Sequence, residues 1–311
     1  MKKYPLLLKP VIKDYLWGGR RLIDEFGFET EGQIAAEGWM LSCHKDGTNT
    51  VLNGELKGKS FKEALEVFGF KEERFPILIK LIDALDRLSV QVHPEDEFAF
   101  KTEGEPGKTE MWYIVDCDEG AELIYGFKDQ ISAEEFKERI LDNTLSEVMN
   151  SVKVNKGDVF FIKAGTLHAI GKGILIAEIQ QNSNTTYRVS DYGRLGADGK
   201  PRELHIDKAL AVTKTEKPTI PFGNVGEISE HSFGSVRNLA ECEYFKTKLI
   251  DLDGGFGINS PVFVSLLVLE GEINIKYEDG LITAKKGDSI YIPENCTAMV
   301  SGKGKAIYST I

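Results

Sequence analysis

Gln91 and His93 sit two residues apart in "LSVQVHPEDE", Leu88 to Glu97, a run that alternates as a strand does. Residues i and i+2 point to the same face of a strand, roughly 6.6 Å apart along it. On a buried face, an amide and an imidazole need hydrogen-bond partners or they cost stability. The competing account is chemical. A side-chain oxygen and a ring nitrogen on one face both offer lone pairs, the beginning of a divalent-metal site.

Any such site must be held by a folded chain, and the bulk numbers provide one. The 311 residues are 41% hydrophobic and 28% charged, enough for one large or two ordinary domains with a substantial core. The net charge of -11, with no basic block, argues against nucleic acid or an anionic membrane as partner. An anionic substrate remains compatible if a few Lys and Arg gather in one cleft. No apolar run approaches the ~20 residues of a membrane helix. Pro5, Lys9, Pro10 and Lys13 interrupt the start before a signal-peptide core of ~7–15 residues can form. Cys43, Cys117, Cys242 and Cys296 are scattered without a CxxC, as free thiols in a reducing compartment would be. A cytoplasmic protein is the expectation.

Short strands with Gly turns dominate the pattern, which predicts a mainly β fold. "FPILIKLIDA" reads as a buried strand containing one lysine, Lys80, and "TEMWYIVDC", "AELIYGF", "KGDVFFI", "GILIAEIQQ" and "TTYRVSDYG" read as further strands. "SFKEALEVFG" has helical spacing, with Ser60 as N-cap and Gly69 as stop. "SAEEFKERILDNTLSEVMNSV" is expected to be helical throughout, with Ser132 and Glu135 in capping-box spacing. Residues 200–222 are expected to form a helix and then a Pro-bounded linker, followed by an all-β C-terminal part. The expected domains are residues 1–235, with helical insertions, and a smaller unit, residues 236–311.

The chain also repeats itself. "KGDVFFIKAGTLHAIG" starts at Lys156 and "KGDSIYIPENCTAMVSG" at Lys286, an offset of 130 residues that aligns His168 with Ala298. A histidine that one copy replaces by a methyl group is not demanded by the fold. Gly157, Lys163, Gly165 and His168 resemble the second motif of the cupin double-stranded β-helix, Gly-x5-Pro-x-Gly-x2-His, with Lys163 in place of proline. The first cupin motif becomes Gln91-x-His93, and the nearest strand-borne acid is Glu110, seventeen residues on. Two cupin barrels with a few inserted helices are therefore expected, the metal lying in the first only. One amide oxygen, two imidazoles and one carboxylate, with water completing the shell, make an open, catalytic kind of site. Mixed nitrogen and oxygen donors suit zinc, with manganese, iron or cobalt as alternatives. Taken singly, each of the four residues also has a structural reading as a satisfied polar group on a barrel wall.

Longer blocks carry a more specific resemblance. "YLWGG", "AAEGWMLS", "KLIDALDRLSVQVHPEDEFA", "GKTEMWYIV" and "AGTLHAIGKGILIAEIQQNSNTTYRVSDYGR" occur in order between about Tyr15 and Arg194. They resemble the motifs of type I mannose-6-phosphate isomerases, in the short bacterial form. The resemblance implies one Zn2+ per chain, held by Gln91, His93, Glu110 and His168. It also implies interconversion of mannose 6-phosphate and fructose 6-phosphate, a phosphorylated hexose being the partner. The oligomeric state stays open.

Aldose–ketose isomerisation moves a proton between C1 and C2 through a cis-enediol. It needs a base beside the carbon and positive charge near the oxygens. Lys108 precedes Glu110 by two residues, so on a strand it shares that ligand's face; the resemblance points to it for proton transfer or charge stabilisation. The competing reading is a solvated lysine. Arg188 matches the family's active-site arginine, for enediolate or phosphate. Asp191 and Arg194 fit equally a structural ion pair. Glu178 is either an acid–base residue or a buried partner of Lys80. Trp17, Glu37 and Trp39 resemble residues near the family's cavity mouth. Two other classes fit the scaffold: a metal-dependent cupin dioxygenase, which the amide ligand disfavours, and a sugar-binding regulatory cupin, which the presence of Lys108 and Arg188 disfavours.

Overall fold

Strands near the middle of a sheet with both faces covered lose the period-two pattern and become continuous apolar runs. Two such strands, Ile77–Ala84 and Ile174–Gln181, are buried at every position and lie side by side in antiparallel register. They centre a six-stranded sheet in the order Val159–Ile162, Glu110–Cys117, Ile174–Gln181, Ile77–Ala84, Glu37–Leu41, Val11–Lys13. The structure, a computed structural model, describes residues 1–196 and 199–311. A five-stranded sheet, Met149–Lys153, Glu122–Phe127, His168–Ala169, Val90–Val92, Tyr187–Ser190, faces the first. Trp112, Ile114 and Ile176 of one sheet meet Leu123 and Tyr125 of the other in a single buried cluster.

The far side of each sheet is covered differently. Phe136 and Ala209, from helices Ala133–Leu141 and Ile206–Val212, pack on Val90, Val92 and Tyr187 behind the five-stranded sheet. Behind the six-stranded sheet, Met111, Tyr113, Ala177 and Ile179 meet Leu267, Leu269, Tyr291 and Ile307 of a third, nine-stranded sheet. That sheet contains the C-terminal strands, including Lys246–Ile258, Val264–Tyr277 and Ala298–Thr310. It also takes in the N-terminal strand Leu6–Lys9, which pairs with Ser289–Ile292, Leu7 opposite Ile290. The protein is thus mainly β. Among the described residues no helix is long and apolar enough to cross a membrane, and the four cysteines are free.

The repeat extends to turn geometry. Gly157 and Gly287 have φ +91° and +92°; 130 residues apart again, Gly165 and Asn295 have φ +90° and +57°. Asp158 accepts from the Asn155 amide, and Asp288 from the Lys285 amide, each at 2.8 Å. Both copies build the same carboxylate-closed turn with a left-handed residue that favours glycine.

Helices follow their caps. Ser60 and Glu63 form a reciprocal capping box before Phe61–Val67. Ser132 accepts from the Glu135 amide, but the Glu135 side chain pairs with Arg139 at 2.8 Å. The expected long helix from 132 stops at Leu141. Asn143 takes φ +57°, and Met149–Lys153 is a strand against Glu122–Phe127. Cross-strand pairing overrode the helical spacing there. The short helix Asp96–Thr102 went unread, because it follows the strand bearing Gln91 with no side-chain N-cap.

Candidate metal centre and active site

Sheet register places the polar residues. Gln91 lies directly opposite His168 on one side and Arg188 on the other, so the three form a row on one face of the five-stranded sheet. On the facing sheet, Trp112, Glu178, Lys80 and Trp39 form a second row, each opposite the next. Glu110 precedes Trp112 by two and shares its face. Two inward faces, each carrying polar side chains at one level, bring these groups together.

His93, Glu110 and His168 converge: one donor atom from each lies within 4.8 Å of the others, and all three residues are buried. His93 Nδ1 is 2.9 Å from the Thr185 carbonyl and His168 Nδ1 is 2.8 Å from the Thr166 carbonyl. A carbonyl only accepts, so each Nδ1 carries the proton and each Nε2 turns a bare lone pair inward, the tautomer a metal requires. Burial, reinforced by Lys108 and His168, pushes His93 well below the ordinary imidazole value, and burial takes His168 down to about 4. Both are neutral at pH 7. Their Nε2 atoms lie 3.6 and 3.5 Å from the two Glu110 oxygens. Gln91 sets its amide 3.4 Å from His168 Nε2; half a turn of that amide exchanges nitrogen for oxygen there.

Both Glu110 oxygens are buried; Oε2 has the Lys108 ammonium at 2.8 Å, while Oε1 accepts no hydrogen bond among the described residues. A buried carboxylate in that state is costly. Two imidazole lone pairs converging on the same point would satisfy none of it. The donor set is that of a divalent-cation site with room for further ligands.

A buried charge network adjoins it. Lys108 Nζ is 2.8 Å from Glu110 Oε2, 3.3 Å from His93 Nε2 and 3.6 Å from Glu178 Oε1. Lys80 Nζ is 3.4 Å from Glu178 Oε1 and 3.6 Å from Glu37 Oε2. Two indoles complete the carboxylates: Trp112 Nε1 donates to Glu178 at 2.9 Å and Trp39 Nε1 to Glu37 at 2.7 Å. Burial opposes the Glu178 carboxylate, but Lys108 and Lys80 hold it well below the usual range. Burial and the Glu178 charge push Glu110 up. Lys80 rises despite burial, drawn by Glu37 and Glu178. The two carboxyls thus differ because Glu178 has two ammonium neighbours and an indole donor, whereas Glu110 has one ammonium in contact and the Glu178 charge against it.

These groups lie at the floor of a cavity of about 250 Å3, whose lining includes Gln91, Lys108, Glu178, Arg188, Trp17 and Arg202. Arg188 donates to the Glu203 carbonyl at 2.8 Å, and its buried Nε has no partner among the described residues. Arg202 is held by both oxygens of Asp191, at 2.7 and 2.6 Å, and Arg194 shares the same carboxylate at 2.6 Å. Two guanidinium groups therefore share the cavity lining with the amine and carboxylate.

The chain is similar to known proteins over most of its length. Residues 6–126 match the family described as phosphomannose isomerase type I, catalytic domain, and residues 235–311 match mannose-6-phosphate isomerase, cupin domain. Mannose-6-phosphate isomerase ManA of Bacillus subtilis is 41% identical over 300 residues, covering 94% of each chain. This chain belongs to the type I phosphomannose isomerase family. Within that family, the mannose-6-phosphate isomerase of Streptococcus mutans is 43% identical over 297 residues, 93% of this chain and 92% of that one. The crystal structure of mannose 6-phosphate isomerase from Bacillus subtilis matches with a TM-score of 0.91 at 37% identity, over 100% of both chains.

The four candidate metal ligands and three candidate catalytic residues named from the sequence fall in one region. His93, Glu110 and His168 meet directly, Gln91 flanks them, and Lys108, Glu178 and Arg188 line the cavity. Glu37 and Trp39 belong to the charge network beneath it, and Lys80 bridges two carboxylates. Arg202 was missed. Its signal was indirect: Asp191 and Arg194 at i, i+3 leave part of a carboxylate free for a second arginine.

Proposed function

We propose that the protein is a metal-dependent aldose–ketose isomerase that interconverts mannose 6-phosphate and fructose 6-phosphate through a cis-enediol. The carrying observation is the stacking of two devices: a buried carboxylate–bis-imidazole donor set, and, 2.8 Å from it, an amine on the floor of a cavity with two arginines. Gln91, His93, Glu110 and His168 would hold the ion, and their mixed donors favour zinc. A divalent ion there supplies positive charge for oxygens that become anionic as the enediol forms.

The remaining roles belong to side chains. Lys108 and Glu178, 3.6 Å apart, are the candidate proton-transfer groups; a proton taken by one can be shared with the other. Lys80 and Trp112 keep Glu178 ionised and immobile. Arg188 and Arg202 offer planar donor forks to enediolate or phosphate oxygens. Trp17, Leu88 and Ile170 supply apolar wall, which strengthens every charge interaction inside. A cytoplasmic location fits this reading.

The test is a coupled assay for fructose 6-phosphate formed from mannose 6-phosphate, before and after chelation, with metal content measured alongside. Activity lost on chelation and restored by zinc is expected. A purified, metal-loaded protein that forms no fructose 6-phosphate would overturn the reading.

A further inference from the structure

Lys108 reaches the site from a connecting segment just ahead of the strand that bears Glu110. Residues 103–109 join helix Asp96–Thr102 to strand Glu110–Cys117; the sheet ladder reaches them at Thr109, whose carbonyl accepts from the Gln181 amide at 3.1 Å. One carboxylate ties the residues on either side of Lys108. Asp96 Oδ1 accepts from the Gly107 amide at 2.7 Å and from Gln181 Nε2 at 2.9 Å. Gln181 Oε1 in turn accepts from the Thr109 amide at 2.8 Å. The amides on both sides of Lys108 are thus tied to Asp96, one directly and one through Gln181. The Lys108 amide itself donates to the Pro94 carbonyl at 3.0 Å. There is no slack: a Cβ on Gly107 would stand 2.6 Å from the Asp96 nitrogen. The second oxygen, Asp96 Oδ2, accepts from the Tyr244 hydroxyl at 3.2 Å. Tyr244 lies two residues before strand Lys246–Ile258 of the nine-stranded sheet, and its ring packs on the cluster between that sheet and the catalytic one.

We propose that Asp96, with Gln181 and Tyr244, is a positioning device for Lys108, through which the nine-stranded sheet acts on the reaction. Asp96 touches neither the metal donors nor the cavity; its effect runs through the backbone. A displacement of about 1 Å at a reacting group can cost on the order of 10²-fold in rate. The inference rests on the reading of Lys108 as a proton-transfer group.

Asp96→Ala, Asp96→Asn and Tyr244→Phe test it. Asp96→Ala should lower kcat at least about tenfold, with KM within about twofold and metal content unchanged. Asp96→Asn keeps an oxygen for both donors and should restore kcat to within about threefold of wild type. Tyr244→Phe should lower kcat between two- and tenfold. Amide hydrogen exchange over residues 107–109 should speed up in Asp96→Ala and not in Asp96→Asn. Wild-type kcat in Asp96→Ala despite faster exchange makes Asp96 merely structural and overturns the proposal. So do equal losses in the Ala and Asn variants, which would show a charge effect. If Asp96→Ala does not fold, Tyr244→Phe decides: unchanged kcat overturns. If the wild-type protein lacks isomerase activity, the functional reading fails, while the exchange measurement still decides whether Asp96 anchors the segment.

Discussion

Lys108→Met separates the chemical role of this amine from a structural one. The substitution keeps most of the stem and removes the ammonium. Lys108 Nζ is 3.3 Å from His93 Nε2, and a metal–imidazole bond is about 2.1 Å, so an ion on His93 lies within about 5.4 Å of the amine. At an effective dielectric of about 20, a divalent ion and a unit positive charge at that distance repel by about 6 kcal/mol. Relaxation and the shared Glu110 carboxylate absorb part of this. The sign survives: removing the ammonium leaves metal binding as tight or tighter. Turnover should still fall ~10²–10⁴-fold, about 3–5 kcal/mol in the barrier, as for a lost acid–base group. The assay pairs kcat and KM for mannose 6-phosphate with a metal titration of the chelated protein. If Lys108→Met bound metal more than about tenfold more weakly, Lys108 would be a structural counter-charge. If turnover stayed near wild type, the proton would travel through Glu178.

His93→Ala and His168→Ala should each lose bound metal and activity while the metal-free proteins keep a native circular dichroism spectrum, since Ala298 occupies the position repeat-related to His168. Glu178→Gln should lower turnover and cost about 3 kcal/mol in denaturant unfolding, because it strips a buried partner from Lys80 and Lys108. Arg188→Lys should lower kcat despite keeping its charge; a parallel rise in KM would assign it to the phosphate, an unchanged KM to the enediolate. His44 provides the pH test. Burial depresses it, and its Nδ1 accepts from the Asp46 amide at 3.1 Å, which requires the neutral ring. With the folded value below the unfolded ~6.5, the unfolded chain binds more protons just under that pH, so stability present above ~6.5 declines as pH falls. His44→Asn, which can still accept that amide, should flatten the melting temperature between about pH 7 and 5.5; an unchanged slope would refute the assignment.

What could be read from the sequence was whatever had a local period or a repeat. Gln91 and His93 announced a shared face by spacing alone, and His168 stood out because its repeat partner is Ala298. The mostly apolar runs at Ile77–Ala84 and Ile174–Gln181 marked strands, with Lys80 and Glu178 as polar residues within them. Their pairing, one of the two expectations for Glu178, is fixed by an antiparallel register between positions 98 apart in the chain, which no local pattern encodes. Glu110 depended on family resemblance, since spacing offers no reason to pair it with a histidine seventeen residues away. Met149–Lys153 was misread because helical spacing continued past Asn143, whose left-handed backbone ends the helix. Arg202 and the Asp96 anchor were hidden for the same reason as the register: their partners lie on other elements.

The strand Leu6–Lys9 pairs with residues made about 285 positions later, Leu6 opposite Tyr291. At roughly 5–20 residues per second, its partner is on the order of tens of seconds away. Through that interval Leu6 and Leu8, both buried in the finished protein, have no sheet to join on that side. A chain stalled or cut before Ser289 would carry them as an open, apolar strand edge, the kind of surface that recruits chaperones or aggregates. Closure of the nine-stranded sheet is therefore a late event in synthesis, and strand Ser289–Ile292 serves as the lock for Leu6–Lys9.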